Sequence, residues 1–256
     1  MSRPWLRDAA ASLALLAFVV GVWAVASQQQ WVSKAFLPSP AATGTSLMNG
    51  LVQGHLADAA LATTLRMLVG WLMASCLGVV LGVLIGSSVV TSVLLRPTLE
   101  FIRPLPASAM LPVAIAIFGL SPTMVMFVVA FGAMWPVLLA TVQGLASVHP
   151  QLREVSQALQ LSRWNYTLKI GLPNAMADIL AGMRLALTVS LIVSIVGEMV
   201  ASQPGLGQSI LLAARSFRTS DLFAGVMLLS AIGFLTNGLL ALAERALSRE
   251  AGTRRA

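Results

Sequence analysis

The chain has 256 residues, 57% of them hydrophobic and 10% charged, with a formal net charge of +7. A mean hydropathy of +0.86 takes it out of the soluble globular class, and no segment is long and polar enough to form a separate soluble domain. Its basic residues sit in tails and between apolar runs, so membrane topology explains the charge better than nucleic-acid binding does.

A bilayer core of about 30 Å needs roughly 20 mostly apolar helical residues. Six runs qualify, at about 9–26, 62–86, 105–120, 123–143, 175–200 and 222–243, so the predicted fold is all-α, a polytopic membrane protein of six transmembrane helices. Residues 1–8 form a basic N-terminal tail ahead of the first span. Arg3 and Arg7 before an apolar stretch, with Ala24-Val25-Ala26 after it, imitate a cleaved secretory leader. The run from Ala9 to Ala26 is longer than a usual leader core, so it is expected to stay as a span. Residues 28–61 hold Pro38, Pro40 and Gly44, then Leu47, Leu51 and Leu56 in a weakly amphipathic run, which suits a short surface helix.

In the second span Gly78, Gly82 and Gly86 repeat every four residues, a pattern that lets helix backbones approach closely. The lone cysteine, Cys76, lies beside this ladder, and a single thiol excludes an intrachain disulfide. The third span is punctuated by Pro104, Pro106 and Pro112, and is the shortest of the six. After the fourth comes a polar island, EVSQALQLSRWNYTLKIGLP (154–173), between two long apolar runs. Read as helix, 150–161 places Leu152, Val155 and Leu159 on one side, with Glu154, Gln157 and Gln160 elsewhere. Pro150 suits a first helical turn, Ser162 can cap a second short helix carrying Trp164 and Leu168, and Pro173 is expected to end it. Such a tethered knob fits a partner's groove, and it equally fits an interfacial helix pair anchored in lipid by Trp164 and Tyr166.

The fifth span carries Gly182, Ala186, Ser190, Ser194 and Glu198, one small and increasingly polar ridge. Its serines suit either a pathway wall or plain small-residue packing. Glu198 is expected near the outer surface, as a gate or a subunit contact. Asp178 suits the start of that helix, and Arg184 can extend to the inner interface. The sixth span leads into a basic tail, 248–256.

Placing the N-terminus inside puts Arg3, Arg7, Arg96, Arg103, Arg153, Arg163, Lys169, Arg184, Arg245, Arg249, Arg254 and Arg255 on the cytoplasmic side. Only Lys34, Arg66, Arg215 and Arg218 fall on the other, so both termini and the polar island face the cytoplasm. The chain has no phosphate-binding loop, since neither lysine, Lys34 or Lys169, follows a glycine. His55 and His149 fall on opposite sides and cannot share a metal, and Gly205-Leu206-Gly207 lacks the third glycine of a dinucleotide fingerprint because Ile210 stands there. No cofactor or catalytic site is therefore expected in the chain. An intramembrane transferase would have only Glu198 and Asp178, near opposite ends of one helix, and a passive channel would not need the knob.

The order Glu154, Ile170, Leu172, Pro173 resembles the E-A-A…G…I-x-L-P cytoplasmic loop of permease subunits in bacterial ATP-binding-cassette importers. RPLPASAMLPVAIAIFGLSP (103–122), LAGMRLALTVSLIVSIVGEMVAS (180–202) and PGLGQSI (204–210) are similar to the sulfonate, taurine and nitrate branch of that family. The resemblance covers roughly residues 37–247. It departs at Val155 and Ser156, where the family has alanines, and at Gln160, where it has glycine; a different turn or a continued helix is expected there. What it implies is a type I importer permease in the inner membrane, importing a sulfonate, nitrate or similar small anion by alternating access. A cytoplasmic ATPase, which binds the ATP and Mg, would dock on Glu154, Gln157, Ala158, Gln160, Leu161, Ser162, Arg163 and Trp164. The other implied partners are a second copy of the chain and an extracytoplasmic solute-binding protein that meets the outer loops near 37–57 and 200–221; lipid surrounds the spans and no nucleic acid is involved.

Overall fold

The computed structural model describes residues 4–102 and 105–253, and among them the regular structure is helical, with no strand. In chain order they are α1 (Pro4–Gln28), α2 (Pro40–Val52), α3 (His55–Gly86), α4 (Val89–Ile102), a 3-10 turn (Ala107–Met110) leading into α5 (Leu111–Phe118), α6 (Pro122–Ala146), α7 (Pro150–Ala158), α8 (Arg163–Tyr166), α9 (Leu172–Ala201), α10 (Leu206–Arg215) and α11 (Thr219–Thr253). Arg3, Arg103, Arg254 and Arg255 of the charge bias, Pro104 of the third span and the end of the basic tail lie outside the described residues.

Five helical runs are long and apolar enough to cross a bilayer, and a sixth crossing exists only if the pair α4 and α5 is counted as one. The expected third span, about 105–120, is helical over Ala107–Phe118 and makes a crossing only together with α4. Pro106 ends the preceding segment in an extended conformation (φ −65°, ψ 134°), and the helices on either side of the break meet at 84°. Proline disfavours helical geometry in the residue before it, and the break between Ile102 and Ala107 takes in Pro106, whereas Leu111, before Pro112, stays helical (φ −56°, ψ −49°). The 8 residues of α5 reach only about 12 Å.

The centre of the molecule is α3, α6 and α9 packed against one another. Lipid tails are as apolar as leucine, so membrane helices gain little from burial as such and associate where small residues let their backbones meet. The glycine ladder of α3 does this against α6: a Cβ on Gly78 would lie 2.9 Å from the Met134 carbonyl, one on Gly82 3.0 Å from the Leu138 carbonyl, and one on Gly86 2.8 Å from Leu145 Cδ1. The ladder begins two steps earlier than the motif suggested. Gly70 fits under Val129, and Ala74 is fully buried with Ala133, Val137 and Ala186. On the other flank of α6, Gly182 of α9 sits where a Cβ would be 2.8 Å from the Pro136 carbonyl, and Gly144 meets Ala175. A second cluster joins α5 to the pair through Leu111, Ala114, Met124, Val125, Val128 and Val193.

Around this core the outward faces are apolar and open, as at Leu61, Leu65, Leu72, Val80, Leu185 and Ile192, which is the pattern of a lipid-facing surface. α1 stands at the edge, held near its end by Trp23, which stacks on Phe223 at 5.8 Å and donates its indole N–H to the Pro38 carbonyl at 2.9 Å. One end of the bundle carries a knob made of α7 and α8. The opposite end carries α10, which lies over the ends of α3 and α9 and buries Leu206 beside Leu56 and Ala59.

Candidate docking surface and buried charge site

At the α10 end, the last polar residue of the α9 ridge meets two groups from α3. Glu198 is fully buried. Its Oε1 pairs with Arg66 Nη1, and its Oε2 accepts from Thr63 Oγ1 at 3.0 Å and from the Gly207 backbone N–H at 2.9 Å. Thr63 in turn accepts from the Leu206 N–H at 2.8 Å, while Arg66 Nη2 donates to the Pro204 carbonyl at 3.2 Å. The carboxylate thus takes up donors at the first turn of α10, where a negative charge is favoured by the unpaired N–H groups. Two glycines make room for it: a Cβ at Gly205 would strike the Glu198 carboxyl, and one at Gly207 would strike the Ile195 carbonyl. The reversal itself is set by Ser202, which caps α9 in the left-handed region at φ 51°. Glu198, expected near the outer surface as a gate or a subunit contact, lies close to the end of α9 and is buried rather than hydrated. A buried charge needs a partner and hydrogen bonds, and Arg66, Thr63 and Gly207 supply them within one chain.

Below this cluster the serines of the ridge face α3 and α6, fully buried. Ser190 donates to the Met67 carbonyl at 2.7 Å, while Ser194 Oγ has no partner among the described residues. One turn further on, Trp71 Nε1 donates across the same seam to the Met183 carbonyl at 2.8 Å. Ser190, Ser194 and Glu198 thus form a seam between α3 and α9 inside the protomer. Arg184 lies on the open side of α9; instead of reaching the interface alone, it pairs with Glu244 of α11.

The knob at the other end is built from local signals. His149 precedes α7 and Pro150 occupies its first turn; Ser162 accepts from the Asn165 N–H at 3.3 Å and starts α8. At Gln160, where a different turn or a continued helix is expected, the chain makes the glycine-type turn instead. Gln160 takes a left-handed conformation at φ 49°, with Leu161 N–H donating to Ser156 O at 3.0 Å and Gln160 N–H to Gln157 O at 2.9 Å. These are the two bonds of a glycine-type helix end, formed here without glycine. Leu152, Val155, Leu159, Trp164 and Leu168 leave an open apolar ridge, and Glu154, Gln157, Ala158, Gln160, Ser162 and Arg163 are all exposed around it, with Leu161 half-buried. Pro173 does not end the second helix. The chain continues in helical form from Arg163 to Ala201.

What the sequence reading missed is the partner set of Glu198. Arg66 is one of the outer-side charges of the sequence bias, and it stands in the fourth turn of α3, within an apolar run. A lone guanidinium at that depth calls for a carboxylate, and Glu198 is the acid of the fifth span on the same side. A cleft of about 610 Å³ opens beside the cluster between α2, α10 and α11, walled by Asn49, His55, Ser209 and Asp221; Ser46 donates to Asp221, which pairs with Arg218 at 3.3 Å. No group of His, Cys, Asp and Glu able to hold a metal occurs among the described residues.

An all-helical, multi-pass bundle with a short helical knob at one end and a strapped-down helix at the other is the type I architecture of transporter permeases. The chain belongs to the family of binding-protein-dependent transport system inner membrane components, whose match spans residues 77–249. It is 31% identical to SsuC of Bacillus subtilis, named as an aliphatic sulfonates transport permease protein, over 95% of this chain and 87% of that one. It is 32% identical to the nitrate import permease protein NrtB of Leptolyngbya laminosa, over 70% of this chain and 64% of that one, and 28% identical to the taurine transport system permease protein TauC of Escherichia coli, over 94% and 90%. Among solved structures, that of an amino acid ABC transporter with histidines has the same fold: TM-score 0.57, 20% identity, 74% of this chain and 94% of that one. The chain is an ABC transporter permease of the sulfonate, taurine and nitrate branch.

Proposed function

We propose that this permease imports a small oxyanion, a sulfonate, nitrate or a similar solute, using energy delivered by a separate ATPase that grips the α7–α8 knob. The relatives' names supply the solute class, since they include sulfonate, nitrate, taurine and bicarbonate permeases. The observation that carries the energetic reading is the knob itself. Its apolar ridge of Leu152, Val155, Leu159, Trp164 and Leu168 is exposed outside the bundle and ringed by polar side chains, the composition of a docking surface with a polar rim. The excess of basic residues in the tails and the polar island supports a cytoplasmic knob and cytoplasmic termini.

In this reading two copies enclose the pathway, each docked to one ATPase. ATP and Mg bound by the ATPases close them on each other, the knobs move, and the dimer opens outward before hydrolysis resets it. The opposite end, with α2, α10 and the cleft between them, receives the solute-binding protein. Glu198 keeps α10 seated there as part of the outer gate, so Glu198→Gln impairs uptake without reducing membrane insertion.

The test is co-purification. A tagged chain extracted in mild detergent from its own membranes brings an ATP-hydrolysing subunit with it; scrambling Glu154–Trp164 removes that subunit and leaves the permease's size-exclusion profile unchanged. An ATPase that stays bound to the scrambled chain overturns the docking reading. ATP-driven uptake of nitrate, taurine or an alkane sulfonate by vesicles holding the whole assembly then tests the solute class.

A further inference from the structure

The helix leaving the knob crosses a proline without stopping. Between α8 and α9, residues Thr167–Gly171 wind as a π-helical turn in which the Leu172 N–H donates to the Thr167 carbonyl, five residues back. Pro173 follows at once. In α winding a proline there would leave the Lys169 carbonyl without its donor and press its ring on that carbonyl. Winding one turn wider takes in an extra residue and respaces those carbonyls, so the helix passes the proline unbroken. The turn is packed rather than frayed. Thr167 is buried, with its hydroxyl on the Arg163 carbonyl at 2.9 Å. Gly171 is buried too, where a Cβ would lie 2.9 Å from Leu145 Cδ2. Trp164 and Leu168, on the knob side, remain open.

We propose that Pro173 is a positioning residue: by holding the π turn it sets the rotation of the knob about the α9 axis, and so the direction in which the apolar ridge faces the ATPase. The inference rests on the docking reading above. Each residue of α-helix turns the chain by about 100° and advances it 1.5 Å. Unwinding the one-residue surplus of the π turn would swing Trp164 and α7 by about that angle. It would carry the ridge off its present side while leaving α9, the Ser190 contact and the Glu198 cluster in place. Because Arg163–Ala201 is one continuous helix, a push on the knob in its set orientation reaches the Glu198 end without an intervening joint.

The experiment uses the full chain in lipid nanodiscs with Cys76→Ser, which removes its single cysteine. Spin labels at Gln151→Cys on α7 and Ala181→Cys on α9, both exposed positions outside the docking set, report the knob's angle as a distance. Pro173→Ala shifts that distance by more than about 5 Å, as a rotation near 100° requires, and ATPase co-purification is lost. Adding deletion of Lys169 removes the surplus residue, restoring both the distance and the ATPase. A distance unchanged by Pro173→Ala, or one shifted but not restored by the deletion, overturns the proposal. If the distance shifts and returns while the ATPase stays bound throughout, the orientation of the knob does not govern docking and the proposal is overturned; the docking reading stands or falls separately, on whether the chain scrambled over Glu154–Trp164 loses the ATPase.

Discussion

Replacing Glu198 with alanine removes a carboxylate that has no contact with solvent, and leaves Arg66 with a side chain only 14% exposed. Breaking a buried pair by removing one partner costs about 3–5 kcal/mol, because the remaining charge stays desolvated. Arg66 retains the Pro204 carbonyl at 3.2 Å and lies near the end of the bundle, so the lower figure of about 3 kcal/mol applies. For a chain of this size each kcal/mol moves the thermal midpoint by about 2–4 °C, giving a fall of about 6–12 °C. The double variant Glu198→Ala, Arg66→Met removes both charges, and so recovers at least half of that loss. Thermal unfolding in nanodiscs, followed by tryptophan fluorescence, reads the effect, since Trp71 is bonded across the same α3–α9 seam at 2.8 Å. A fall below about 2 °C for Glu198→Ala, or strictly additive effects of the two changes, would refute the reasoning.

The glycine ladder gives a graded expectation. Gly78→Ala meets backbone, at 2.9 Å from the Met134 carbonyl, whereas Gly86→Ala meets the end of a leucine side chain that can turn aside. The first therefore costs about 1–3 kcal/mol and the second less, and the yield of monodisperse protein in detergent ranks them. Gln160→Gly relieves a left-handed glutamine of about 1 kcal/mol, so amide exchange over 150–161 slows several-fold in the isolated permease. Arg184→Gln strands Glu244, whose Oε1 is buried without a partner among the described residues. It lowers stability by about 1 kcal/mol, as for a half-exposed pair, and the further change Glu244→Gln returns most of it; thermal midpoints of the two variants decide this.

Periodicity made the spans legible because a bilayer admits few alternatives to an apolar helix, and the ladder at Gly78, Gly82 and Gly86 marked the α3 face that meets α6. Two kinds of feature escaped. One depends on residues far apart in the chain: nothing near Glu198 announces Thr63 or Arg66, which reach it only after α3 and α9 have packed. The other depends on local winding that propensity describes poorly. Pro173 signals a helix end, and the π turn over Thr167–Gly171 lets the helix pass it instead. Gln160 signals a changed turn, and the pull of two backbone bonds placed it in a glycine's conformation at φ 49°. At Gln160 two local backbone bonds outweighed a residue preference of about 1 kcal/mol, and at Pro173 the wider winding avoided the roughly 3 kcal/mol that a proline costs inside an α-helix.

The pairing of Arg66 with Glu198 also bears on how the protein is made. The two residues lie 132 positions apart, so α3 leaves the ribosome and enters the bilayer long before its counter-ion has been translated. Until then Arg66 has no acid of α9 to pair with, and its long side chain is free to extend toward the membrane face. The bond that ties this end of α3 down therefore forms only once α9 has been made.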